Sequence, residues 1–251
     1  MKYLLLGIIQ GLTEFLPVSS SGHLVILQTF FKMPDSIAFD VIVHLATGLA
    51  VIVYFWKDIL KLFTTERKML WLIAVATVFT GILGIGFKDF FESLFSSVVA
   101  VGGFLILTGV IIMVAEWKGR GGRGLKEMNW LDAVLIGLAQ GCAIAPGLSR
   151  SGTTISASLG RDLNRTLAAR FSFLLSIPAI LGAGLIQSKA IIKAGTMGIG
   201  AWPLILGFIA AFVSGLLAIK IFMNIIQRMS IRIFAYYCFV LGIIVLLINI
   251  F

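Results

Sequence analysis

Six stretches of this chain, at about residues 38–56, 69–87, 98–116, 166–187, 201–221 and 231–251, each run for 19 residues or more with at most one charged side chain. At 1.5 Å per residue such a helix is about 28 Å long, close to the thickness of a bilayer's hydrocarbon core. That core offers no water to unpaired backbone groups, so a continuous apolar run of this length folds as a helix. The runs are unbroken rather than alternating, which excludes a β-barrel. Composition agrees. Of the 251 residues 59% are hydrophobic and 12% charged, with a mean hydropathy of +1.07, whereas a soluble domain carries about 25% charged residues on its surface. The sequence predicts an all-α integral membrane protein embedded in the lipid bilayer.

Two other apolar regions, 2–16 and 131–145, are somewhat short, carry Gln or Glu, and stop at Pro17 and at Pro146-Gly147. Each is followed by a Ser-rich break and a second short helix, at about 20–31 and 151–160. Two short arms around a polar break predict a re-entrant hairpin, which a membrane tolerates only where the backbone is buried in protein or lines a wet cavity. A shift of 130 residues lays Gln10-Gly11 on Gln140-Gly141, Ser19 on Ser149, Ser20 on Arg150 and Gly22 on Gly152. Three spans follow each hairpin, and three is odd, so the second unit enters the membrane upside down. The expected plan is six transmembrane helices plus two re-entrant hairpins in an inverted-topology repeat, which places sites where broken helices meet. Repeat 1 covers about 1–116, a basic Gly-rich linker 117–128, and repeat 2 about 129–251. Asn129, with Asp132 three residues on, offers an N-cap and an acidic first turn for the next arm.

Charge fits that plan. The net charge of +9 would suggest nucleic-acid binding in a soluble protein, but in a membrane protein Lys and Arg collect in cytoplasmic loops. The topology puts 14 of the 20 Lys and Arg on one side, from Lys57 to Arg232, and five on the other, with Arg150 inside the membrane. This predicts a multi-pass protein with both termini extracytoplasmic. Cys142 and Cys238 suggest neither a disulfide framework nor a thiolate metal site. Gln10 and Glu14 interrupt the first apolar run, so it does not read as a cleaved signal peptide.

Polar groups at membrane depth are expensive, which makes them candidates for function. Gln10 and Glu14, four apart, share one helix face; Ser20 and His23, three apart, share another on the following arm. The second helical arm begins at the break, so its N–H groups and positive dipole end favour an anion. Arg150 adds a bidentate fork suited to phosphate, and Ser149, Ser151 and Thr154 add hydroxyls. His44, inside a span, reads as a packing or supporting residue. Asp40 and Asp162 read as first-turn residues, and Arg165 and Arg170 as boundary cations.

Gln10-x-x-x-Glu14 leading into Pro17-Val18-Ser19-Ser20-Ser21-Gly22-His23, with Pro146-Gly147-Leu148-Ser149-Arg150-Ser151-Gly152 and Phe171-Ser172-Phe173-Leu174-Leu175, resembles the undecaprenyl-diphosphate phosphatase, or bacitracin-resistance, family. The resemblance spans nearly the whole chain. It implies a bacterial plasma (inner) membrane enzyme that hydrolyses a C55 polyprenyl diphosphate, recycling the lipid carrier of the cell wall, with a divalent metal, Mg2+ or Ca2+. It implies that Glu14 binds metal or steers protons, that Ser20 is nucleophile or substrate ligand, that His23 is catalytic, and that Arg150 with Ser149, Ser151 and Thr154 holds phosphate. It also implies an extracytoplasmic opening. Many members carry Glu where this chain has Gln10, which puts a two-carboxylate metal site in question; an amide oxygen still ligates a hard cation, more weakly. The sequence does not choose among Ser20, His23 and water as attacker, and it is compatible with a homodimer. The inverted repeat would equally serve a lipid transporter, although clustered Ser, His and Arg fit bond cleavage better. A type 2 phosphatidic-acid phosphatase, suggested by Ser21-Gly22-His23, requires a second His after the Arg, and both histidines precede Arg150.

Overall fold

In a computed structural model the described residues, 1–33, 37–119, 121–194 and 199–250, form twelve helices and no strand. Arg120 of the linker and Phe251 of the last span lie outside them, as do the side chains of 188–194 and 249–250. The first hairpin is α1 (Lys2–Phe15) and α2 (Ser20–Phe30), followed by α3 (Ile37–Tyr54), α4 (Trp56–Phe63), α5 (Arg67–Gly86), α6 (Lys88–Leu94) and α7 (Val98–Lys118). The second hairpin is α8 (Trp130–Cys142) and α9 (Arg150–Gly160), followed by α10 (Arg165–Ala194), α11 (Ala201–Arg228) and α12 (Arg232–Ile250). The helices α3, α5, α7, α10 and α11 are long and apolar enough to cross a membrane. The 19-residue α12 is the sixth of that length.

Two helices were not expected. The stretch predicted as a span to residue 56 stops at Tyr54, and α4 turns away with Trp56, Leu60 and Phe63 exposed and only Leu62 buried. Apolar residues on one side with Lys57 and Lys61 between them are the pattern of a helix lying in the interface. The short α6 carries exposed Phe90 beside the Lys88–Glu92 pair. Asp40 does sit in the first turn of α3. Asp162 does not begin a helix; it lies in the turn after α9 with φ 62, a left-handed position that Asp tolerates better than most residues.

The two hairpins pack crosswise on the long helices. The first arm of hairpin one, α1, packs on α11, and the first arm of hairpin two, α8, packs on α5. Both contacts run through a glycine, and the two glycines are 130 residues apart: a Cβ on Gly7 would run into the Gly207 carbonyl, one on Gly137 into the Ala76 carbonyl. Small residues let helix backbones approach in lipid, where no hydrophobic force drives association. Thr80 adds a hydrogen bond across the second contact, donating to the Gly137 carbonyl at 2.9 Å. The equivalent spans α3 with α10 and α7 with α12 pack on each other.

Ion pairs gather at one end of the bundle. Asp132, fully buried, accepts from Arg123 and Arg161 at 2.7 Å each, and completes a capping box with Asn129. Those hydrogen bonds to Asp132 raise the Arg123 guanidinium above its ordinary pKa. Arg165 pairs with Glu116, and Arg170 with Asp58 and Glu66. The end of α7, the starts of α8 and α10, and the α4–α5 turn are thereby tied together. Arg123 also makes a two-residue parallel bridge to Leu163, which pins the linker to the α9–α10 turn. At the base of the first hairpin Lys2 donates to the Phe31 carbonyl at 3.0 Å.

Candidate active site

The two breaks are built alike. Leu16 precedes Pro17 and is pushed into an extended conformation, φ −72 and ψ 141, which ends α1. Ser19, at φ 67, turns the chain back and caps α2, its Oγ accepting from the Gly22 N–H at 3.3 Å. In the second break Gly147 takes φ 94 and Ser149 caps α9, its Oγ accepting from the Gly152 N–H at 3.1 Å. Thr108 of α7 clamps this turn: its hydroxyl donates to the Gly147 carbonyl and accepts from the Ser149 N–H, both at 3.0 Å.

The hairpin tips meet. Ser151 Oγ donates to the Leu16 carbonyl at 3.1 Å, and Arg150, the first residue of α9, reaches across to Glu14. Glu14 is the hub of the cluster and is 7% exposed. Its Oε1 receives Arg150 Nη2 at 2.5 Å. Its Oε2 receives the Ser20 hydroxyl at 2.5 Å and Gln10 Nε2 at 3.0 Å. His44 Nε2 lies 3.8 Å from the same oxygen. A carboxylate, a hydroxyl, an amide and a guanidinium separated by up to 140 residues of chain thus share one buried network. Low dielectric strengthens such a network when it is satisfied. Arg150 keeps 15% of its side chain exposed, so an anion can approach a fixed charge there.

Other expected residues are placed differently. His23 belongs to the same arm as Ser20, but both of its ring nitrogens are occupied: Nδ1 lies 2.7 Å from the Ser19 carbonyl and Nε2 2.7 Å from the Tyr237 hydroxyl. The hydroxyls of Ser149, Ser151 and Thr154 hold the second hairpin together. Ser149 caps, Ser151 reaches Leu16, and Thr154 donates to the Arg150 carbonyl at 2.8 Å and pairs with Ser172 Oγ at 2.6 Å. They surround Arg150 and fix the start of α9.

Four further residues join the site. His44, read from sequence as packing or support, faces Glu14, its Nδ1 tied to the Asp40 carbonyl; its signal was an ionisable side chain within a span. Tyr237 was a polar tip in an apolar run. Thr108 and Ser172 gave no distinguishing signal, since a hydroxyl in a membrane helix usually bonds to its own backbone.

A hard divalent cation takes oxygen ligands. Among the described residues no three His, Cys, Asp or Glu side chains are grouped to hold a metal. The cluster does offer the Glu14 carboxylate and one buried acceptor with no donor, Gln10 Oε1. An orphaned amide oxygen beside a carboxylate fits an ion such as Mg2+, which keeps much of its shell as water and substrate phosphate.

Comparison with known proteins places this geometry. The family model of the bacitracin resistance protein BacA matches residues 3–244. The chain is 46% identical to the undecaprenyl-diphosphatase of Carboxydothermus hydrogenoformans, over 98% of this chain and 96% of that protein. It is 44% identical to that of Halothermothrix orenii over the same shares, and 41% identical to that of Methanosphaera stadtmanae over 100% of this chain and 98% of the relative. The two motifs, the paired hairpins and a match across the whole membrane domain agree, and the chain belongs to the BacA bacitracin resistance family.

Proposed function

We propose that this protein hydrolyses the phosphoanhydride of undecaprenyl diphosphate, yielding undecaprenyl phosphate and inorganic phosphate and so conferring resistance to bacitracin. The observation that carries the reading is the Arg150–Glu14–Ser20 network at the meeting point of two broken helices. Phosphoryl transfer depends mainly on positioning and charge stabilisation, and Arg150 supplies both a charge and a planar fork for the terminal phosphate. The start of α9 lends its dipole to the same place.

The geometry supports Ser20 as the attacking group, because its hydroxyl already donates to a carboxylate at 2.5 Å. Glu14 would take that proton as Ser20 Oγ bonds to the terminal phosphorus and the bridging P–O bond breaks. Undecaprenyl phosphate would leave with the bridging oxygen, and water would then release phosphate from Ser20. Glu14 and Gln10 would hold a divalent cation, Mg2+ or Ca2+, which supplies charge neutralisation for the diphosphate. The polyprenyl tail would lie against apolar helix faces, with the head group at the hairpin tips.

The ion-paired end, Arg123–Asp132–Arg161 with Arg165–Glu116 and Arg170–Glu66, supports a closed cytoplasmic face in a bacterial plasma membrane. It is also the end richer in Lys and Arg, as cytoplasmic loops are. Entry would then be from the extracytoplasmic side, where both termini would lie. Phosphate release from C55 diphosphate by the purified protein tests the function, with and without chelator and beside Arg150→Ala. Cation-dependent release that falls at least ~100-fold in the variant, the scale for one oxyanion donor, is expected. Saturable lipid binding without phosphate release would refute hydrolysis.

A further inference from the structure

His23 is held by two hydrogen bonds of unequal kind. A carbonyl oxygen can only accept, so the 2.7 Å contact to Ser19 requires that Nδ1 carry a hydrogen. In the neutral ring Nε2 is then an acceptor, and the Tyr237 phenol, 2.7 Å away, is its donor. The two rings are nearly parallel, 7° apart with centroids 5.7 Å from each other. His23 is 9% exposed, whereas Tyr237 is 46% exposed. The phenol is the outer layer over the imidazole.

The contact joins distant parts of the chain. Tyr237 belongs to α12, which packs chiefly on α7, and it lies 214 residues from His23. The adjacent Cys238 is buried, and its thiol points at the Pro17 carbonyl at 3.6 Å. One turn of α12 therefore grips the first hairpin on both sides of its break, Pro17 before it and His23 after it. Ser19, whose carbonyl fixes Nδ1, is also the strained residue of the turn, at φ 67. A ring tied only to Ser19 could rotate about that bond; a second bond to Nε2 fixes its plane.

We propose that Tyr237 is a positioning residue for His23: its phenol donates to Nε2, which fixes the ring plane and the Nδ1–H tautomer and leaves Nε2 as the only ring nitrogen able to exchange a proton. A positioning group of this kind acts on the rate rather than on substrate affinity. The kinetic part of the inference rests on the phosphatase reading together with the catalytic role that the family resemblance implies for His23; the hydrogen bond does not.

The test has two arms. In 15N spectra of imidazole-labelled protein in micelles, with His44→Gln used to assign the two histidines, the wild type shows His23 as a single tautomer with a hydrogen-bonded imine Nε2. In Tyr237→Phe that Nε2 signal moves to the position of an unbonded imine or averages with Nδ1. In the kinetic arm Tyr237→Phe lowers kcat about tenfold, the worth of one hydrogen bond, with KM within about twofold. The double variant His23→Ala/Tyr237→Phe is no slower than His23→Ala. A wild-type Nε2 that is protonated or unbonded, an unchanged kcat in Tyr237→Phe, or losses that multiply in the double variant would each overturn the proposal. Absence of phosphate release from the wild type would instead refute the phosphatase reading, with the spectra still reporting the bond.

Discussion

Glu14 and Arg150 form the ion pair on which the site is assembled, and the structure sets how they should respond to removal. The side chains are 6% and 15% exposed, so solvent screens them little. Glu14→Gln keeps the shape and removes the charge, leaving the guanidinium buried without a carboxylate; breaking a buried pair in this way costs about 3–5 kcal/mol. Arg150→Met leaves Glu14 with the Ser20 hydroxyl and the Gln10 amide still donating to Oε2, so the loss should be smaller, about 1–3 kcal/mol. In the double variant no charge is left unpaired. It should be more stable than Glu14→Gln alone, with a coupling of about 2–3 kcal/mol between the sites. Reversible unfolding of the four proteins in mixed micelles, titrated with a denaturing detergent, reads these differences directly. A coupling below about 0.5 kcal/mol, the level expected of independent sites, would show that the tips do not meet through this pair and would remove the basis for placing both hairpins in one site.

Two further predictions concern the frame. Gly137→Ala puts a methyl group against the Ala76 backbone, which cannot retreat without separating α8 from α5; overpacking of that kind costs about 1–3 kcal/mol, measured by the same unfolding titration, and wild-type stability in the variant would contradict the close approach. Asp132→Ala removes the acceptor shared by Arg123, Arg161 and the Asn129 N–H. The linker should then release from the base of the second hairpin and become sensitive to added protease near Arg123, and unchanged resistance would show that the cluster does not hold it.

The helices were legible because each is a local property. An apolar run of membrane length has only one backbone solution in lipid, so the expected spans at 69–87, 98–116 and 201–221 correspond to α5, α7 and α11. The hairpins were legible from Pro17 and Pro146-Gly147 because each leads into a Ser-rich polar break, where a freed backbone must be buried or wet; Pro178, alone in an apolar run, does not end α10. The span expected at 38–56 was read too long because hydropathy does not distinguish Trp56 in a membrane core from Trp56 on an interfacial helix. In the site, Gln10, Glu14, Ser20, His23 and Arg150 stood out as costly polar groups at depth. Their partners did not, because partnership depends on which helices pack together. Nothing at position 44 or 237 announces that one ring faces Glu14 and the other covers His23.

The sequence by itself determined the all-α membrane character, the two breaks and the residues with chemical capacity, because the bilayer acts as a solvent on each segment separately and penalises every misplaced polar group. Only the tertiary structure decided that Arg150 pairs with Glu14 and not with a lipid phosphate at the interface, that Ser20 gives its hydrogen to that carboxylate, and that Ser149, Ser151 and Thr154 brace the helix start. Those choices follow from the close approach of α1 to α11 and of α8 to α5, which brings two tips 135 residues apart in the chain within hydrogen-bonding distance, and directional bonds of a few ångströms are settled by packing alone.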